Sequence, residues 1–182
     1  MKCPYRVGGT IYLRPLEAED AVRTAAWMNN PDVSRTLAVW RPMTVADELA
    51  FLDRVGKSST DLVLGISLTA DDRLVGVTGF HRINDRDRSS VFGILIGQPT
   101  DWDKGYGSQA TRLMIDLAFE TMNLNRVMLD VYEFNERGIH AYEKLGFQRE
   151  GVLRQHHYWG GRYWDTIVMS ILRSEWDAAK RD

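Results

Sequence analysis

Three strand-like runs, residues 61–70, 73–82 and 90–97, follow one another with no helix between them, parted only by the turn signals Asp71-Asp72 and Asn84-Asp85. Connections that short join antiparallel neighbours, so the middle of the chain must form an antiparallel meander. The next β-type run, Arg126 to Tyr132, comes only after a helical stretch, and a helix is what carries a chain back to a parallel neighbour. One parallel pair, 90–97 beside 126–132, is therefore expected inside an otherwise antiparallel sheet.

The flanking segments extend this plan. Thr10-Ile11-Tyr12-Leu13-Arg14 alternates like a half-buried strand, and residues 17–28 read as a helix that stops at Asn29-Asn30-Pro31. Thr44 with Asp47 three residues on makes a capping box for a helix running to about Gly56. The helix after Gly105 keeps Ala110, Leu113, Met114, Leu117 and Ala118 on one face, so it should lie along the sheet with its glycine end at a sheet edge. Residues 136–145 read as a second helix, with Gly146 suited to the left-handed residue that ends it. Runs 148–157 and 162–173 close the fold as strands around the turn Gly160-Gly161. The expectation is one α/β (α+β) domain over residues 1–182, with about seven strands in a mixed, mostly antiparallel sheet and helices on both faces.

Charge and cysteine content narrow the function classes. A formal net charge of -2 gives no electrostatic case for nucleic acid. Cys3 is the only cysteine, which excludes an intramolecular disulfide and suits a reducing compartment. The start, Met1 to Arg6, lacks an apolar leader, and no apolar run reaches membrane-spanning length, so a cytoplasmic protein with no membrane partner is expected. His140, His156 and His157 show no metal-ligand spacing, and no metal is expected.

Two glycine-marked helix starts carry the chemistry. In Trp102-Asp103-Lys104-Gly105-Tyr106-Gly107-Ser108, glycines open a helix so that bare N–H groups and the positive end of the dipole can meet a pyrophosphate, with Lys104 adding charge. The second, Asn135 to Phe147, sets an N-capping asparagine seven residues before Tyr142. Gly105-x-Gly107-x-x-Ala110, with Asp130 about where a ribose-binding acid would sit, also fits a dinucleotide fingerprint. That reading, an NAD-dependent oxidoreductase, needs the glycines directly after a strand of a βαβ unit, whereas residues 98–104 intervene and the preceding strands form a meander. A phosphate loop of the Walker type fails because Lys104 precedes the glycines.

With these motifs on that strand order, the chain resembles the GCN5-related N-acetyltransferase (GNAT) superfamily. It is most similar to the branch that includes ribosomal-protein N-terminal acetyltransferases and bacterial spermidine acetyltransferase, through Trp102-x-Lys104-Gly105, Gly146-Phe147-x-x-Glu150-Gly151 and Gly161-Arg162-Tyr163-x-Asp165. The resemblance implies acetyl-CoA as cosubstrate, its pyrophosphate on the backbone of Lys104, Gly105, Tyr106, Gly107 and Ser108. Its pantetheine arm would pair with Ile94, Leu95 and Ile96 between the splayed parallel strands, and Asn135 would hold the arm from the other side. Tyr142 matches the family position that protonates the departing thiolate. The reaction implied is direct attack of a primary amine on the thioester, and the acceptor is a protein N-terminus or a small amine such as an amino sugar or antibiotic. A homodimer is also in keeping with the resemblance.

Departures from the family pattern matter as much. Val91 stands where many relatives carry a glutamate usable as a base, so the base passes to Glu133, Asp130 or His81, of which Glu133 is taken as the candidate. Gly138 replaces a frequent serine. The stretch Leu37-Ala38-Val39-Trp40-Arg41-Pro42 lacks the acidic residues that receive a polyamine in that branch, which disfavours a polycation. A module that binds acetyl-CoA without catalysis stays open as the alternative.

Overall fold

In a computed structural model, which describes residues 1–180, the meander forms as its turn signals require. Strands β1 (Arg6–Val7), β2 (Ile11–Pro15), β3 (Leu62–Leu68), β4 (Leu74–Asn84), β5 (Ser89–Ile96), β6 (Arg126–Tyr132), β7 (Gln148–Trp159) and β8 (Arg162–Leu172) make one sheet in the order β1-β2-β3-β4-β5-β6-β8-β7. All neighbours are antiparallel except β5 and β6. The strand count is eight against the expected seven, because the short β1 pairs with β2 through Arg6–Leu13 and Val7–Tyr12.

The β5–β6 pair is short. Its register runs Ser89–Arg126, Ser90–Val127 and Val91–Met128 and ends there, although both strands continue. From Phe92 to Ile96, β5 bonds β4 on one side and has no strand on the other. This opening is what the topology contributes to function.

Helices cover both faces: α1 (Ala21–Met28), α2 (Pro31–Ser34), α3 (Val45–Gly56), α4 (Tyr106–Asp116), α5 (Glu136–Lys144) and α6 (Arg173–Ala179). Helix α4 buries Ala110 and Met114 completely and passes into a π-helical turn, Leu117–Thr121, that buries Leu117, Ala118 and Phe119 with them. These side chains share a core with Phe80 and Phe92 of the central strands and Ile139 of α5. On the other face α1 packs against α3. Gly97 makes that packing close: a Cβ there would stand 2.0 Å from ring atoms of Trp27.

Three boundaries differ from the sequence expectation. Residues 17–28 divide into a 3-10 turn, Ala18–Asp20, and α1. Pro31 starts a helix where it was read as a stop, since its missing N–H costs nothing at the first position and the Asn30 side chain accepts from Asp32 N at 3.0 Å. After β8 the chain turns into α6 instead of ending in strand, drawn by Trp176, whose indole packs 5.4 Å from the Phe119 ring and donates to Asp116 at 3.0 Å.

Candidate active site

Gly105, with φ of +78°, is the N-cap of α4, in a conformation that side-chain-bearing residues avoid. It has no side chain to cap the helix, so the first-turn N–H groups of Tyr106, Gly107 and Ser108 point outward without intrahelical partners. Beside Gly107, a Cβ would meet only Ile96 Cγ1 at 3.8 Å, so the bare Cα leaves room on the cleft side and is not forced by internal packing. A bare first turn on an eleven-residue helix is a place for an anion.

This turn is anchored to the open edge of β5. The Trp102 indole N–H donates to Ile96 O at 3.0 Å. Asp101, 3% exposed, accepts two bonds from the Arg73 guanidinium at 2.7 and 3.0 Å, and Lys104 Nζ lies 3.5 Å from the same carboxylate. Arg73 thereby holds Asp101 below the usual carboxylate range, against the opposing effect of burial. Lys104 is thus drawn back toward Asp101. Arg137 in the first turn of α5, which the sequence reading did not single out, lies with Cζ 4.1 Å over the Trp102 ring and Nη1 3.7 Å from Asp103 Oδ1. An arginine beside a bare helix start was the available signal.

One cleft joins these segments, lined by Ile94, Leu95, Ile96, Gly105, Tyr106, Gly107 and Ser108 together with Asn135, Arg137, Gly138 and Tyr142. Of the predicted site residues, Lys104 and Glu133 are not in its wall. The Asn135 side chain accepts from Gly138 N at 3.1 Å, and a Cβ on Gly138 would stand 2.7 Å from Asn135 Nδ2. Gly138 is what lets Asn135 fold back over the start of α5. Glu133, which is exposed, accepts from Asp165 N at 3.1 Å and donates its own N–H to Asp165 O, tying the end of β6 to β8.

Tyr142 packs against Phe92 and Phe147, with ring centroids 6.4 and 5.7 Å away. Burial pushes its phenol up to about 12, so it keeps its proton throughout the physiological range.

A second cavity lies on the α1–α3 side and shares Ile94 and Leu95 with the wall of the first. Its wall is mostly apolar, including Leu16, Met28, Phe51, Leu52 and Val63, with Glu48 and His81 as its ionisable groups. Glu48 is 3% exposed, and burial pushes its carboxyl up despite a bond from Thr24. Among the described residues, no group of three or more His, Cys, Asp or Glu is placed to hold a metal ion, and no helix is long and apolar enough to cross a membrane.

The likeness to known proteins agrees with this geometry. Residues 10–148 match the family described as Acetyltransferase (GNAT) domain. The spermidine N(1)-acetyltransferase of Escherichia coli (strain K12) is 31% identical over 170 residues, covering 92% of this chain and 88% of that protein. The uncharacterized N-acetyltransferase p20 of Bacillus licheniformis is 28% identical, covering 90% of this chain and 93% of that one. Among solved structures, spermidine N-acetyltransferase from Vibrio cholerae in complex with CoA and spermine superposes with a TM-score of 0.87 at 25% identity, covering 93% of this chain and 99% of that one.

Proposed function

The chain belongs to the GNAT acetyltransferase family and is an acetyl-CoA-dependent N-acetyltransferase, and from that premise we propose that it acetylates the primary amino group of a small molecule with an apolar body. The observation that carries this reading is that Ile94 and Leu95, on the stretch of β5 that lacks a strand partner, belong to the walls of both cavities.

Acetyl-CoA, when bound, supplies an electrophilic thioester carbonyl. In this proposal the N–H groups of Tyr106, Gly107 and Ser108 receive the pyrophosphate, and Arg137 supplies the positive charge that Lys104 partly directs to Asp101. The unpaired edge of β5 at Ile94 and Leu95 offers backbone groups to the extended arm, much as a sheet edge accepts an added strand; Ile96 O is already engaged by Trp102. Asn135, itself an N-cap, closes the opposite side.

In the same proposal Tyr142, which lines the cleft, protonates the leaving sulfur. In water, proton transfer from a phenol near ~10 to a thiolate near ~8.5 is uphill by about 2 kcal/mol. The same dry surroundings that raise the phenol also raise a thiol held beside it, so the two are brought toward a match as sulfur gains charge.

The acceptor enters from the α1–α3 side. A single buried carboxylate in a mostly apolar wall favours an acceptor with a single ammonium over a long polycation, and Trp40 and Arg41 stand exposed in the stretch where the polyamine-acetylating branch is acidic. The 31% identity to a spermidine N(1)-acetyltransferase supports the second reading, in which Glu48 receives the distal ammonium of spermidine. Thiol release from acetyl-CoA in the presence of phenethylamine, spermidine, an amino sugar or a peptide with a free N-terminus separates these. Turnover with phenethylamine above spermidine is expected; the reverse order establishes the second reading, and turnover with the peptide alone removes both.

A further inference from the structure

His81 stands in the middle of the sheet beside the acceptor cavity, and the β4–β5 register pairs it with Val91, whose side chain cannot take a proton. Residues paired in this way share a face, so His81 presents its imidazole on the same face as Val91 and Gly93. Three further observations aim it. The register of β4 on β5 breaks just after His81, and Arg82 takes φ of +51°, a local irregularity of the kind that redirects a side chain. Asp61 stands one residue before Leu62, which pairs with Phe80, and its Oδ1 lies 2.8 Å from His81 Nδ1. Asp61 is itself fixed by Ser58 Oγ at 2.7 Å, with Arg54 4.0 Å from its other oxygen. Finally, Gly93 on β5 has no side chain to screen the ring: His81 Nε2 lies 3.8 Å from where a Gly93 Cβ would stand. The ring forms part of the wall of the acceptor cavity together with Ile94 and Leu95.

We propose that His81, held by Asp61, is the general base for the acceptor amine. This rests on the acetyltransferase reading above and deepens it. Asp61 accepts the Nδ1 proton, which leaves the Nε2 lone pair free toward the cavity. The amine nitrogen forms a bond to the thioester carbonyl carbon while Nε2 takes one of its protons. The carbon–sulfur bond then breaks, the electron pair leaves on sulfur, and Tyr142 gives sulfur a proton. His81 returns its proton to solvent and Tyr142 recovers one, so the balance is amine plus thioester to amide plus thiol. Asp61 is a positioning residue. The other ionisable group in this cavity, Glu48 from α3, has Thr24 as its bonding partner and no charged group to orient it.

The experiment has two arms on the full chain. Nitrogen NMR of the histidine side chains, without acceptor, reports the tautomer: wild type should hold His81 as the Nδ1–H form, and Asp61→Ala should return it to the Nε2–H form usual for a free side chain. An Nε2–H ring in wild type overturns the proposal. In the second arm, thiol release is followed against pH with the amines named above. His81→Gln, with His81→Asn as a second variant, should lower kcat by about 10²-fold or more and abolish the acidic limb of the kcat–pH profile. Acetyl-CoA affinity and the unfolding midpoint should stay near wild type, because His81 is not in the cofactor cleft. Glu48→Gln should keep the acidic limb. If wild type turns over and both His81 variants match it, or if the limb vanishes with Glu48→Gln instead, His81 is not the base. If wild type binds acetyl-CoA but releases no thiol with any amine, the acetyltransfer reading falls and takes this proposal with it.

Discussion

The two cavities that share a wall on β5 are built in opposite ways. The cofactor cleft draws chiefly on two short stretches, 101–108 and 135–142, plus one strand edge, whereas the acceptor cavity takes scattered side chains from residues 16–95. In the first, the recognition groups are mostly backbone, and their direction is set by a helix start and a glycine of positive φ. In the second they are side chains, and their direction depends on strand register, a bulge and the packing of α1 on α3. A backbone site tolerates change in neighbouring side chains but fails if a Cβ fills it. The side-chain site can be retuned one residue at a time, which is how acceptor choice can diverge on a common cofactor cleft.

The sharpest way to break the comparison is Gly107→Val. A Cβ there finds only Ile96 at 3.8 Å, so the unliganded fold should keep its unfolding midpoint within a few degrees. The added methyls nevertheless stand over the N–H groups that receive the pyrophosphate. Acetyl-CoA affinity should fall about 100-fold, close to 2.7 kcal/mol, by calorimetric titration. Unchanged affinity would show that the cleft does not recognise its ligand through the backbone of this turn.

Tyr142→Phe tests the one side chain on which the cofactor cleft depends for chemistry. Turnover should drop about tenfold to 100-fold with acetyl-CoA affinity within about twofold, since the ring packing against Phe92 and Phe147 survives. The pH sign is fixed by the phenol at about 12: neutral Tyr142 costs nothing below its unfolded value near ~10, and stability is lost as pH rises from there through 12. Wild type should therefore lose stability faster than the Phe variant above about pH 10. Equal turnover in the two proteins removes Tyr142 as the acid.

A smaller effect is expected at Asp101, which holds the turn in place from the wall of the cofactor cleft through Arg73. Asp101→Asn should cost about 1–2 kcal/mol, discounted because Arg73 is a third exposed, and lower the unfolding midpoint by roughly 3–6 °C. Arg73 depresses the carboxyl, so the contribution is present above the unfolded value near ~3.9 and is lost as pH falls through the lower folded value. The gap between wild type and variant should be constant above about pH 5 and close in acid. A gap that widens in acid would reverse the assignment.

The same contrast explains which features the residues reveal on their own. Gly105, Gly107, Asn135 and Gly146 each mark a backbone conformation within a few positions, and the helix starts and the left-handed helix end, φ +94° at Gly146, stand where they were expected. The meander and its single parallel pair were legible for the same reason, since a two-residue turn or an intervening helix fixes strand direction. Arg137 was not, because its place over Trp102 arises from how α5 docks beside the turn before α4. Nor was the pairing of His81 with Asp61, residues 20 apart, which depends on the register of β3 on β4 and the bulge that follows. Helix α6 was missed because Arg173 continues the β-type run, and only Trp176 docking on Phe119 turns the chain into a helix.

Glu133 gives the smallest expected effect and the finest test of which side of β5 carries the base. It sits at the end of β6, exposed, with its carboxylate on Asp165 N, and is absent from the walls of both cavities. A glutamine keeps a carbonyl oxygen to accept that bond, so Glu133→Gln should change stability by no more than about 0.5 kcal/mol and leave the pH–rate profile where it was. Glu133→Gln and His81→Gln therefore form a pair whose profiles must differ: one unchanged, one without its acidic limb. A profile that moves with Glu133 and not with His81 would place proton removal on the β6 side of the splay, and the acceptor would then have to approach from the cofactor cleft instead of the α1–α3 face.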